Sequence, residues 1–129
     1  MGKFHQTQFK ENKVINFWNL GEIIMNLKKR VKTLAQMRGA MIFEFFNPGI
    51  PTILKNAGCE FIIFDMEHGG LSLEKFKTLS IISNANKISP FIRIPEVNYN
   101  YVARALDLGA SGIMVPMVNT PDDAIKIVH

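Results

Sequence analysis

The sequence predicts an α/β fold of the (β/α)8-barrel type, represented by about its first four strand–helix units and preceded by an N-terminal helix. Three observations predict it. Short apolar runs rich in β-branched and aromatic residues alternate with segments of helical spacing, four times over. The runs are apolar on both faces, as strands of a parallel sheet with right-handed crossovers must be. The turn after the first run, Phe45 through Pro51, is not the glycine-rich phosphate loop of an open dinucleotide-binding sheet. A barrel segment therefore fits better than an open doubly wound sheet. At 129 residues the chain has about half the roughly 250 residues of a complete barrel, so it is expected to be the N-terminal half of one.

Residues 1–20 form an N-terminal extension that mixes polar, basic and aromatic side chains without periodicity, and residues 21–129 form the partial barrel domain. From Glu22, the positions Ile23, Ile24, Leu27, Val31, Leu34 and Ala35 fall at helical spacing, with Gly39 expected to stop the helix. Lys28, Lys29, Arg30 and Lys32 make it basic. It reads either as a helix laid across the end of the fold with a solvated outer face, the favoured reading, or as a surface for membrane or an acidic partner. The strands follow at Ala40 to Phe45, Phe61 to Asp65, Pro90 to Ile94 and Gly112 to Pro116. Helices are expected near Pro51 to Ala57, Leu73 to Asn86, Tyr99 to Leu108 and from Pro121 onward. Pro48, Pro51, Gly69-Gly70 and Thr120-Pro121 mark turns from strand into helix, and Gly58 and Gly109 close helices.

The formal net charge of +4 raises the question of a nucleic-acid or membrane partner, but its distribution argues against both. Residues 1–38 hold eight basic and two acidic residues, a net +6, and the remainder sums to −2. The single cysteine, Cys59, excludes an internal disulfide framework or a cysteine-rich metal cluster. It reads as a small residue in a turn rather than a nucleophile. No apolar run approaches the roughly 18 residues of a membrane helix, and no signal-peptide core precedes the domain. A cytoplasmic protein is expected.

In either parallel architecture, chemistry gathers at the carboxyl ends of strands. The second strand ends Phe64-Asp65-Met66-Glu67-His68-Gly69-Gly70, two carboxylates and an imidazole in one turn. That turn is either a general-base site, with the carboxylates raising the basicity of the histidine, or a solvated loop. Arg93 stands within the apolar strand Phe91-Ile92-Arg93-Ile94, where an unpaired buried charge would cost several kcal/mol. It needs a partner, and Glu67 would suffice; its fork also suits a substrate carboxylate or an enolate oxygen. Asp107, in the last turn of its helix, is disfavoured there by the macrodipole by a few tenths of a kcal/mol. His5 and His129 lie near the termini and are expected to be inert.

The order Phe-Asp65-Met-Glu67-His68-Gly-Gly, then Phe-Ile-Arg93-Ile-Pro-Glu96, then Ala105-Leu-Asp107-Leu-Gly-Ala-Ser-Gly-Ile-Met114-Val-Pro-Met-Val118 resembles the HpcH/HpaI family of metal-dependent 2-keto acid aldolases, from about Leu27 to His129. The resemblance implies a (β/α)8 barrel that cleaves a small 2-keto-4-hydroxy acid to pyruvate and an aldehyde. By the same resemblance His68 is the base acting on the C4 hydroxyl. Arg93 binds the keto acid and stabilises the enolate, Asp107 raises the basicity of the histidine, and Asp65 is a nearby carboxylate able to assist it. A helix end lies at the opposite barrel face from His68, so Asp107 is expected to act across a subunit interface of a homo-oligomer.

The resemblance also implies a divalent metal of the Mg²⁺ or Mn²⁺ type. Its Glu and Asp ligands are expected from later strands, beyond His129, so no metal ligand is expected within this chain. The partner classes expected are a small 2-keto acid and a second copy or a complementing C-terminal half. Two other readings remain. One is a carbon–carbon lyase similar to the citrate lyase β-subunit, against which the Asp-x-Glu-His motif speaks; the other is a non-catalytic assembly module using the basic N-terminus. Little or no aldolase activity is expected of the isolated chain, and robust metal-dependent pyruvate release by it would overturn that expectation.

Overall fold

Four parallel strands, β1 (Gly39–Ile42), β2 (Phe61–Asp65), β3 (Ser89–Arg93) and β4 (Gly112–Met114), form one sheet in the order β1-β2-β3-β4. The computed structural model describes residues 27–128. The N-terminal extension, the first turn of the basic helix, His5 and His129 lie outside the described residues. Helix α1 occupies residues 27–32 of the described chain. Helices α2 (Ile50–Asn56), α3 (Leu73–Ala85), α4 (Tyr99–Asp107) and α5 (Pro121–Val128) each follow one strand, the βα alternation expected from the sequence.

The register divides the sheet into two unlike faces. Residue pairs Ile42↔Phe64, Phe64↔Ile92 and Ile92↔Ile113 align side chains on the face beneath the helices. There Ile62, Phe64, Ile92 and Ile94 pack with Leu73, Phe76 and Leu79 of α3 and Ala105 of α4 in one buried cluster. The Phe64 and Phe76 rings meet edge to face at 6.0 Å. Pairs Gly39↔Phe61, Ile63↔Phe91 and Phe91↔Gly112 align the opposite, inner face. Phe61 and Phe91 are again edge to face there, at 5.9 Å. Glycine is required at both ends of this arrangement, because a Cβ on Gly39 would run into the Phe61 ring and one on Gly112 into the Phe91 ring.

α1 lies at the amino-terminal end of that inner face, where Leu27, Val31 and Met37 line an open apolar groove of about 660 Å³ with Phe61, Ile63 and Phe91. Arg30 pins it, pairing with Glu60 just before β2 and donating to the Gln36 carbonyl at 2.7 Å. The end-of-fold reading of the basic helix is the one the structure supports.

Two boundaries differ from expectation. Gly39 does not stop α1. The helix ends at residue 32 and the chain turns at Leu34, whose φ is +52°, with Leu34 N–H bonded to the Val31 carbonyl and Ala35 N–H to that of Arg30. Gly39 instead opens β1. β1 and β4 are also shorter than their apolar runs, β2 matches its run and β3 lies one residue earlier than expected. β1 ends at Ile42, opposite Phe64 and one residue short of the end of β2, and β4 stops before Pro116, which has no N–H for a ladder.

The pair of backbone bonds that ends α1 recurs at Gly58 after α2, Lys87 after α3 and Gly109 after α4, each with positive φ. All four helices thus close with the same left-handed cap. At Lys87, exposed and without glycine's freedom, the conformation is strained. Lys87→Gly is expected to raise stability by about 0.5–1 kcal/mol, and Gly109→Ala to lower it by about 1–2 kcal/mol. Midpoints of urea unfolding check both.

Candidate active site

The inner face ends, at the carboxyl edge of the sheet, in one cross-strand row. Asp65↔Arg93 and Arg93↔Met114 are register partners, and extending the β1 register by one residue places Phe43 beside Asp65. Two charged residues thus stand between two apolar ones, over a layer of Met41, Ile63 and Phe91.

Asp65 is fully buried, and such a carboxylate must be met by donors. Four N–H groups reach it. Arg93 Nε donates to Oδ1 at 2.7 Å and Nη2 to Oδ2 at 2.9 Å, a bidentate pair. The backbone N–H groups of Glu67 and His68 donate to Oδ1 at 3.0 Å and to Oδ2 at 3.1 Å. The Arg93 guanidinium, helped by these two amides and opposed by burial, holds the Asp65 carboxyl below the ordinary carboxylate range. The bond to Asp65 in turn pushes Arg93 up, against burial.

Arg93 is held from three further directions. Its Nη1 lies 3.1 Å from Glu67 Oε2, its guanidinium carbon sits 5.7 Å from the centre of the Phe43 ring, and its carbonyl accepts the Met66 N–H at 2.9 Å. Three N–H directions of the fork are engaged with carboxylates among the described residues, so two of its five remain for a ligand. His68 projects outward, its side chain 68% exposed, with Nε2 at 3.7 Å from Glu67 Oε1.

The structure thus brings together three of the four residues singled out in the sequence, Asp65, His68 and Arg93. The buried partner of Arg93 is Asp65, with Glu67 the second. Asp65 meets His68 through the backbone N–H and not the imidazole, so the carboxylate nearest the imidazole is that of Glu67. Asp107 is not part of the group. It is the last residue of α4 and exposed, and its carboxylate forms no ion pair among the described residues. It lies at the amino-terminal edge of the sheet, roughly 13–17 Å of strand from the carboxyl edge. Phe43 was not singled out in the sequence, because its place beside Asp65 follows from the strand register, which the sequence alone does not give.

The described residues do not fit the divalent metal that the family resemblance implies. No three His, Cys, Asp or Glu side chains converge among them, and the oxygens of Asp65 and Glu67 face an arginine. Among the described residues no helix is long and apolar enough to cross a membrane.

The HpcH/HpaI aldolase/citrate lyase family model matches residues 40–129. The 4-hydroxy-4-methyl-2-oxoglutarate aldolase of Hapsidospora irregularis is 35% identical over 79 residues, 60% of this chain and 29% of that protein. The 4-hydroxy-2-oxovalerate aldolase of Rhodococcus jostii is 30% identical over 78 residues, 60% of this chain and 30% of that protein. The crystal structure of the HpcH/HpaI aldolase from Desulfitobacterium hafniense superposes with a TM-score of 0.74 at 31% identity, covering 79% of this chain and 39% of that one. The chain thus spans about a third of the length of the curated relatives it matches.

Removing one member of a buried ion pair strands the other, so Asp65→Ala is expected to cost about 3 kcal/mol in urea unfolding. The folded carboxyl titrates below its unfolded value of 3.8, so its contribution is complete above that value and is lost as the pH falls through the lower folded one. Asp65→Asn should flatten the acid limb of the stability curve between about pH 5 and pH 2; an unchanged limb would contradict the pairing.

Proposed function

The chain belongs to the HpcH/HpaI aldolase/citrate lyase family, and on that premise we propose that it supplies the arginine and the general base of an aldolase that cleaves a 2-keto-4-hydroxy acid to pyruvate and an aldehyde. The observation that carries the reading is the carboxyl-edge group: a buried carboxylate that fixes an arginine fork and, through two amides, the turn bearing His68.

In this reading the two uncommitted N–H groups of Arg93 take the keto acid's carboxylate and keto oxygen. His68 accepts the C4 hydroxyl proton. The C3–C4 bond then breaks, its electrons pass to the enolate oxygen beside Arg93, and the aldehyde departs. C3 gains a proton to give pyruvate. Arg93 contributes more to the enolate than to the ketone, because charge develops on that oxygen only as the bond breaks. Asp107, remote from His68 within one chain, serves a His68 of a neighbouring copy in the same reading, which makes an oligomer the active form.

The relatives leave the substrate's far end open. 4-Hydroxy-4-methyl-2-oxoglutarate, in the name of one, has a second carboxylate, and 4-hydroxy-2-oxovalerate, in that of another, has none.

Saturation-transfer NMR on the purified chain should show pyruvate binding that is lost in Arg93→Leu and kept in His68→Ala. Any pyruvate released from a 2-keto-4-hydroxy acid, followed by coupled reduction, should fall to background in His68→Ala, since a positioned base contributes about 10²–10⁴-fold. Pyruvate binding indifferent to Arg93→Leu would overturn the proposal.

A further inference from the structure

Four consecutive parallel strands are half of the eight that close a side-chain-filled barrel, and the surfaces that the other half would cover are bare. Among the described residues no strand pairs with the outer edge of β1 or of β4, and an unpaired edge is a template for a further strand. Between these edges the inner face is the open apolar groove of Phe61, Ile63 and Phe91. The two outermost helices are bare on their outer flanks as well. On α2, Lys55 is turned toward α3 and donates to the Lys87 carbonyl at 3.0 Å. Ile53, about 160° away around the helix, is 62% exposed. On α5, Asp123, Lys126 and Ile127 face a hollow shared with Val97 and Tyr99 at the start of α4, and Ile125 stands on the other side, 56% exposed.

We propose that a second copy of this chain covers these surfaces, so that two chains close one eight-stranded barrel about a two-fold axis. A half-turn about the barrel axis keeps all eight strands parallel and sets β4 of each copy beside β1 of the other. Each chain carries both sides of the seam, the β4 edge with the α5 flank and the β1 edge with the α2 flank, so the same contact is made twice and no further polypeptide is needed. Both α2 and α5 return from the carboxyl edge of the sheet toward its amino-terminal edge. Across the seam they lie side by side, and Ile125 of one copy meets Ile53 of the other. The two inner faces enclose a common apolar core, whose removal from water is worth about 25 cal/mol per Å². The exposed Val31 of α1 gains apolar neighbours at the closed amino-terminal end, while Lys28 and Lys32, also exposed, keep their ammonium groups in water. Each barrel then holds two Asp65–Arg93 pairs around one mouth. The Asp107 contact of the preceding section is a different one, made between barrels, since within this dimer Asp107 stays at the amino-terminal edge and His68 at the carboxyl edge.

Sedimentation of the full chain at micromolar concentration tests the proposal. The wild-type chain is expected as two copies or an even multiple of two, without monomer. Ile53→Asp and Ile125→Lys each place a charge in both seams, and each should weaken the dimer by about a hundredfold or more. A chain carrying both substitutions pairs aspartate with lysine across each seam and should regain most of the lost affinity. Both side chains are exposed in the single chain, so circular dichroism is expected to be unchanged; should one variant lose its structure, the wild-type mass and the other variant decide. A monomeric or odd-numbered wild-type chain overturns the proposal, the first pointing to a different polypeptide as the missing half. A dimer that neither substitution weakens also overturns it, and so does a double variant no tighter than the single ones. Pyruvate binding, which the keto-acid reading requires, is measured separately and is independent of these outcomes.

Discussion

The site depends on one buried ion pair. Asp65 and Arg93 face each other across β2 and β3 on the last rung of a parallel sheet, and neither charge is tolerable there alone. Their pairing performs two tasks. It locks the guanidinium plane against the sheet, so that the remaining N–H groups point to a fixed place. It also leaves both Asp65 oxygens aligned with the amides of Glu67 and His68, which sets the path of the turn after β2. Arginine and histidine are therefore positioned by the same carboxylate, one through its side chain and the other through its backbone.

Around that pair the sheet keeps its two faces separate. The helix-covered face is aliphatic and aromatic throughout, with Phe64 against Phe76 at its centre. The inner face grades from an apolar layer of Phe61, Ile63 and Phe91 to the charged row at the carboxyl edge, as layered barrel interiors do. The chain's positive charge is carried elsewhere, in the N-terminal region. Arg30, one of its residues, is used to moor α1 to Glu60 at the amino-terminal edge. Arg30 thus serves packing at one end of the sheet, while the other end gathers Asp65 and Glu67 around Arg93.

Much of this was legible in the sequence for physical reasons. Strands apolar on both faces could only be parallel, and an arginine inside one of them had to have a partner. The turn Asp65 to Gly70 concentrated polar groups where a strand ends. The identity of the partner was not legible, because a single sequence does not give the register that sets Asp65 and not Glu67 level with Arg93. Nor was the position of Phe43, which is placed by the same register one step past its strand. Gly58 and Gly109 announced helix ends, since glycine adopts positive φ without strain. Leu34 and Lys87 take the same conformation with ordinary side chains, which is why α1 stops earlier than Gly39 suggested.

The claim that Asp65 and Arg93 form one energetic unit is tested most directly by a double-mutant cycle. Stabilities of the wild-type chain, Asp65→Asn, Arg93→Leu and the double variant yield a coupling energy free of each residue's separate contributions. A coupling of about 2 kcal/mol or more is the result the account predicts. Additive losses, with coupling below about 0.5 kcal/mol, would contradict it.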